Sequence, residues 1–359
     1  MKAWAVIKNG VPLEQIEIPD REPKGTEVVI EVTHCGVCHS ELHFWKGQYN
    51  MGGGKIMNLA ERGVVLPRAP GHEVAGRVIK VGPDATGVAI GDRRVVFPWL
   101  GCGHCERCLN GEDNLCDKSN SIGVIQDGGF GEQVLVPHPK FLVDTGELDP
   151  ALAATLACSG ITVYSAIKKI MPLAPHEPVV LIGAGGLGLS AIAMLKALGH
   201  ENIISVDLSA DKRAAALDMG ATKVVDGSQN DVGALILEAA GGPVKAAIDF
   251  VNASSTAQVG LDCLGKGGKL ILVGVAGGEL VISLAGMVFK PRTVQGSVTG
   301  SPQDLRDVVA LARAGKLKAI PLTILPKDQA NAALIMLQNG QVRPHCLGRG
   351  MTAIKHHGA

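Results

Sequence analysis

Alternation of apolar and polar positions governs the first part of the chain. Runs such as EVVIEVTHCGV and GRVIKVG, separated by Gly, Pro and Asp, predict short strands and long connections up to about residue 155. From Glu177 the pattern changes. The stretches PVVLIGAGGLGLSAIAMLKALG, NIISVDLS, DKRAAALDMGA, KVVD, AAIDFVN and GKLILVGV alternate apolar strands with helical segments, and such βαβ alternation calls for a parallel sheet covered on both faces. After Val298, SPQDLRDVVALARAGKL reads as an amphipathic helix and QVRPHCLG as a closing strand.

The chain has 359 residues, 46% hydrophobic and 19% charged, enough for two cores. Lys plus Arg equals Asp plus Glu at 34 each, with no run of like charge, so no nucleic-acid or acidic-lipid surface is expected and small molecules are the expected partners. The N-terminus MKAWAVIKNGVPLEQIEIPD lacks the apolar stretch of a signal peptide or membrane span. A soluble, cytoplasmic protein is expected, and in that compartment nine cysteines favour metal ligands, nucleophiles or packed thiols over disulfides.

Cys102, Cys105, Cys108 and Cys116 follow C-x2-C-x2-C-x7-C within GCGHCERCLNGEDNLC. Four thiolates gathered by glycine-assisted turns suit an enclosed tetrahedral Zn²⁺, with an iron–sulfur cluster or redox use as alternatives. A second set is scattered: Cys38 in CGVCHSE, His72 and Glu73 in APGHEVAG, and Cys158 in LACSGIT. Each alone reads as an ordinary core or surface residue. Together Cys38, His72 and Cys158 offer two thiolates and an imidazole, leaving a fourth position open, as a catalytic zinc requires; alcohol dehydrogenase is the known example of that ligand set.

Gly183, Gly185 and Gly188 form G-x-G-x-x-G between an apolar strand and a helix. Gly183 permits the turn, Gly185 admits a pyrophosphate, and Gly188 lets the helix pack closely with its N-terminus toward the anion. Asp207 ends the following strand, where a carboxylate accepts ribose hydroxyls and repels a 2′-phosphate, favouring NAD over NADP.

In GVCHSE, GHEVAGRVIKVG, GDRRVV, GCGHCERCLNGEDNLC, GFGEQVLV and GAGGLG, in that order, the sequence resembles the zinc-dependent alcohol dehydrogenases of the medium-chain dehydrogenase/reductase superfamily over nearly its whole length. The resemblance implies an α/β chain with a GroES-like β-barrel catalytic domain over 1–159 and 299–359, and a Rossmann doubly wound parallel-sheet coenzyme domain over 160–298. It implies two zinc ions per chain: a structural one on Cys102, Cys105, Cys108 and Cys116, and a catalytic one on Cys38, His72 and Cys158 with Glu73 behind it. A hydroxyl relay runs through Ser40 to His43. His39, Gly183, Gly185, Gly186, Leu187, Gly188, Asp207, Lys212, Val251, Val273, Val275 and Arg343 belong to the NAD site. The reaction implied is interconversion of alcohols with aldehydes or ketones by hydride transfer, in a homodimer or homotetramer.

One departure stands out: the family usually has Asp where this chain has Glu41, which leaves the role of that carboxylate open. Cys35, Cys263 and Cys346 are read as packed thiols. The long connection FWKGQYNMGGGKIMNLAERGVVLPRAPG brings Trp45, Tyr49, Met51 and Met57 near the motifs, and with Trp99 they suggest an apolar cleft for a bulky or aryl alcohol. The rival readings are a polyol or amino-alcohol dehydrogenase of the sorbitol or threonine type, and a non-catalytic zinc- and NAD-binding relative.

Overall fold

The computed structural model describes residues 1–340 and 345–348. Six strands form one all-parallel sheet in the spatial order Lys223–Asp226, Ile203–Asp207, Val179–Ile182, Val244–Asp249, Leu264–Leu272 and Thr293–Gly296. Taken in chain order this is 3-2-1-4-5-6, the arrangement of a dinucleotide-binding Rossmann sheet, whose ligand crevice lies where the strand order reverses. The central strands explain their own position. Val179, Val180, Leu181 and Ile182 are all buried, because helices cover both faces and leave no polar side to alternate with.

A second, mixed sheet is built around the long strand Val28–Val37, which pairs antiparallel with Glu73–Val81 and Gln133–Val136. Arg93–Val96 and Leu142–Asp144 extend it on one side. On the other side it is completed from the far end of the chain, by His345–Gly348 against Val28–Val37 and by Thr323–Pro326 beyond it. Chain ends far apart in sequence thus close one sheet, with Leu347 opposite Cys35.

Between the sheets runs a continuous helical path from Pro150 to Ile170, interrupted by a π-helical turn at Leu156–Gly160. By length and apolarity it could cross a bilayer, but 78% of its most apolar window is buried inside the fold, so it serves as a core helix. Asp149 caps it by accepting from the backbone N–H groups of Ala151 (2.9 Å) and Leu152 (3.0 Å). A π turn carries one extra residue per turn and redirects the side chains that follow. Here it carries Cys158.

The glycines after Val179–Ile182 meet three different demands. Gly183 sits at φ +96°, a left-handed conformation that side-chain-bearing residues rarely adopt. A Cβ on Gly188 would lie 2.0 Å from the Gly183 carbonyl oxygen, whereas one on Gly185 would meet nothing within 4 Å. Gly183 and Gly188 therefore let helix Gly186–Ala197 start tight against the strand, and Gly185 leaves space open for a ligand. Because the atom in the way at Gly188 is backbone, Gly188→Ala is expected to destabilise by about 1–3 kcal/mol, as overpacking does. Thermal unfolding would show a melting temperature several degrees lower, while Gly185→Ala should leave it near wild type.

Candidate active site

Strand Val28–Val37 ends at Cys38, which becomes the N-cap of helix His39–Lys46. Glu41, in the first turn of that helix, accepts the Cys38 backbone N–H at 2.7 Å through one carboxylate oxygen. Its other oxygen meets His72 Nδ1 at 2.5 Å. Both side chains are buried, at 2% and 1% exposure, which makes this contact the polar anchor of the site. His72 immediately precedes strand Glu73–Val81, and Cys158 arrives on the π turn.

Ligand atoms of Cys38, His72, Glu73 and Cys158 all lie within 4.8 Å of one another. The Cys38 and Cys158 sulfurs are 4.0 Å apart. Gly36 makes room for Glu73: a Cβ there would sit 1.8 Å from Glu73 Oε2. With Nδ1 held by Glu41, His72 Nε2 is buried and has no hydrogen-bond partner among the described residues. A buried imidazole nitrogen facing two sulfurs, its opposite nitrogen tied to a carboxylate, is the donor geometry a zinc-bound histidine needs.

The electrostatics agree. The hydrogen bond with Cys158 and then the contact with His72, working against burial, hold the Cys38 thiol well below its ordinary range. Cys158 is pushed well above it by that same bond and by burial. Glu73 is raised by burial and by Cys38. Burial alone would lower His72, but the Glu41 carboxylate and Cys38 outweigh it and raise the imidazole well above its ordinary value. The three acidic groups Cys38, Cys158 and Glu73 thus crowd one space and cannot all ionise unless a cation joins them.

The second cysteine set closes on itself. Cys105 and Cys108 sulfurs are 3.5 Å apart, Cys105 and Cys116 3.8 Å, and Cys102 and Cys108 4.0 Å. A tetrahedron with zinc–sulfur bonds of about 2.3 Å has edges of about 3.8 Å. All nine cysteines are free thiols. Both donor sets fit Zn²⁺ by residue type and spacing.

A cleft of about 1830 Å³ runs from the first cluster to the parallel sheet. Cys38, His39, Ser40, His43, Glu73 and Cys158 line one end, and Gly183, Gly185, Gly186, Leu187, Gly188, Asp207, Lys212, Val251, Val273 and Val275 line the rest. Asp207 accepts the backbone N–H of Ala184 (2.8 Å) and of Ser209 (2.9 Å), which fixes its carboxylate at the strand end. Arg343 lies outside the described residues.

Tyr49, Met51, Met57 and Trp99 line the cleft near the metal cluster, with Trp99 centred 5.1 Å from His72. Trp45 does not join them. Its indole N–H donates to the Val11 carbonyl and its ring packs on the core, because in helix His39–Lys46 it follows buried Phe44 rather than sharing the face of Ser40 and His43. Cys35, Cys263 and Cys346 are packed thiols.

Sequence reasoning passed over several residues that shape or line the cleft. Asp249 is fully buried and accepts from Val251 N, Asn252 N and Thr256 Oγ1, folding the loop that presents Val251. A carboxylate ending the apolar run AAIDF was a readable sign of this. Thr162, one turn beyond Cys158, and Ser297 and Thr299, beyond the last parallel strand, also face the cleft. Nothing in their spacing marked them.

A nucleotide-binding parallel sheet opposite a cage of thiolates and imidazole is the architecture of a metal-dependent dehydrogenase. Residues 24–146 match the alcohol dehydrogenase GroES-like domain, and residues 186–314 match the zinc-binding dehydrogenase family. A Sulfurisphaera tokodaii NAD-dependent alcohol dehydrogenase is 36% identical over 341 residues, covering 94% of this chain and 97% of that one. D-arabinose 1-dehydrogenase (NADP(+)) of Saccharolobus solfataricus is also 36% identical, over 95% of each chain. The alcohol dehydrogenase of Aeropyrum pernix superposes with a TM-score of 0.87 at 29% identity, over 97% of this chain and 99% of that one. The chain belongs to the zinc-dependent alcohol dehydrogenases of the medium-chain dehydrogenase/reductase superfamily.

Glu41 is expected to govern metal retention at the first cluster. Glu41→Ala should weaken zinc binding there by about 10–100-fold, as loss of a ligand's carboxylate partner does. Competition with a chelator would measure it, and Glu41→Asp should fall between the two.

Proposed function

We propose that the chain is an NAD-dependent, zinc-dependent alcohol dehydrogenase that interconverts bulky or aryl primary or secondary alcohols with the corresponding aldehydes or ketones. The observation that carries the reading is the orphaned His72 Nε2, buried beside two thiols at the end of a cleft that continues to the G-x-G-x-x-G turn. Cys38, His72 and Cys158 would hold one zinc with Glu73 behind it, and Cys102, Cys105, Cys108 and Cys116 a second. Zinc held at the first site would supply Lewis acidity that eases loss of the alcohol proton, with bound NAD as the hydride acceptor.

The chain's own residues do the rest. Ser40, its oxygen 3.8 Å from the Cys38 sulfur, takes the proton and His43 passes it outward. Burial, then His39 and Lys46, lower the His43 pKa below its ordinary value, so the ring is neutral at pH 7 and able to accept. Gly183, Gly185, Gly186, Leu187 and Gly188 cradle the pyrophosphate with His39 and Arg343. Asp207 and Lys212 bind the adenosine ribose, and Val251, Val273 and Val275 wall the nicotinamide end. The Asp207 carboxylate at the strand end supports NAD over the NADP named for the arabinose enzyme.

The division into a catalytic domain at 1–159 and 299–359 and a coenzyme domain at 160–298 is supported by the C-terminal strands that complete the N-terminal sheet. Thiolate donor sets suit a reducing, cytoplasmic setting. Val281, Leu284, Val288 and Phe289 are 75–85% exposed beside the edge strand Thr293–Gly296, which supports a homodimer or homotetramer. Phe289→Asp should lower the mass measured by light scattering after size exclusion; an unchanged mass removes that face from the assembly.

Wild type should contain two zincs per chain and oxidise benzyl, cinnamyl and cyclohexyl alcohols with NAD⁺. Cys38→Ser should hold one zinc and lose turnover. Two zincs retained in the variant, or no turnover by wild type on the panel, would defeat the reading. Trp99→Ala should alter the relative kcat/KM of benzylic and short alcohols. Alcohol oxidation should fall as pH drops through the lowered His43 pKa, since the protonated ring no longer accepts, and His43→Gln should flatten that acid limb.

A further inference from the structure

Helix His39–Lys46 ends at Gly47, at φ +76°, and the chain turns back on itself there. The reversal lays Tyr49, on the short strand Gln48–Asn50, face to face with His43. The ring centroids are 4.4 Å apart and the planes 19° from parallel. The Tyr49 hydroxyl lies close enough to the Ser40 side chain to interact with it. One residue therefore touches both members of the relay, and it also borders the cleft where alcohol would lie.

We propose that Tyr49 is a positioning residue of the proton relay: its ring fixes the plane of the His43 imidazole, and its hydroxyl donates to Ser40 Oγ and orients that serine toward the substrate oxygen. The inference rests on the relay reading and adds a third member to it. Tyr49 itself transfers no proton. Burial pushes its pKa up to about 12, so it remains neutral throughout the working range. Ser40 has two oxygen lone pairs and one proton. With one lone pair held by Tyr49, the other is left for the substrate hydroxyl and the serine proton is free to leave toward His43. The stacked ring also shields one face of the imidazole from water, which adds to the burial that depresses its pKa. Among the described residues, the groups facing His43 are His39 and Lys46 on its own helix, the Gln48 backbone, Cys38 and the Tyr49 ring.

Two substitutions separate the ring from the hydroxyl. Zinc-loaded Tyr49→Phe keeps the stack and should oxidise benzyl alcohol about 5- to 10-fold more slowly in kcat, the usual effect of one lost hydrogen bond. Its KM for NAD⁺ should be unchanged and its solvent deuterium isotope effect larger. Tyr49→Leu removes both contacts. It should be slower still, with the acid limb of kcat moved to higher pH because the unshielded imidazole regains water.

If Tyr49→Phe keeps wild-type kcat and isotope effect and Tyr49→Leu changes only the KM for alcohols, the residue is a wall of the substrate pocket and the inference is overturned. Ser40→Ala, measured alongside, tests the relay itself. Wild-type kcat in that variant refutes the relay whatever Tyr49 does, whereas a slow Ser40→Ala beside an unaffected Tyr49→Phe refutes only the role of Tyr49.

Discussion

The site depends on a single buried contact, the Glu41 carboxylate against His72 Nδ1. It joins the helix after strand Val28–Val37 to the start of strand Glu73–Val81, and both side chains are almost wholly removed from water. A buried carboxylate and imidazole hold one another in register because neither has a solvent alternative. From that contact the remaining geometry follows. The His72 ring cannot flip, so Nε2 must face the sulfurs; Glu41 also holds the Cys38 backbone, so the thiol stands at the head of the helix that carries Ser40 and His43.

That arrangement crowds acidic groups around one point, and their pKa values move apart as a result. Cys158 and Glu73 are pushed up while Cys38 is held down, so negative charge settles on one thiol at the expense of its neighbours. The fold holds the donors in this unfavourable proximity through elements that do not depend on them: the end of a strand, the start of another, and a π turn in a buried helix. Gly36 belongs to the same account, since only a residue without Cβ leaves Glu73 its place.

Legibility in the sequence follows the range of the interaction. The four-cysteine loop and the glycine turn are local, each demand met by residues close together, so spacing alone exposed them. Cys38, His72 and Cys158 are ordinary apart; donor chemistry offered them as a set and the family resemblance supported it, since nothing in the spacing of a single chain says which distant side chains converge. Glu41 shows the limit most clearly. An extra methylene relative to the usual Asp left its role open, and only the fold shows that the longer side chain still spans from the Cys38 amide to His72. Trp45 shows the opposite error. Proximity in sequence to the metal motif suggested the cleft, but the helical position of its ring faces the core.

The long connection after His43 also gains a physical reading that its sequence could not supply. Its hairpin pairs Gln48–Asn50 with Ile56–Asn58, and the glycine tip reaches across to the coenzyme side of the cleft. A Cβ on Gly52 would meet Glu279 Cγ at 3.0 Å and the Gly278 oxygen at 3.1 Å, and one on Gly277 would lie 2.5 Å from Asn50 Cγ. Glycine suits both surfaces because a Cβ on either would run into the facing side chain and the backbone oxygen beside it, two residues beyond Val275 in the cofactor wall. The hairpin that presents Tyr49, Met51 and Met57 to the substrate is thereby seated on the loop that follows the nicotinamide wall. Substrate pocket and cofactor pocket share one contact, so a change in the position of either loop is felt by the other.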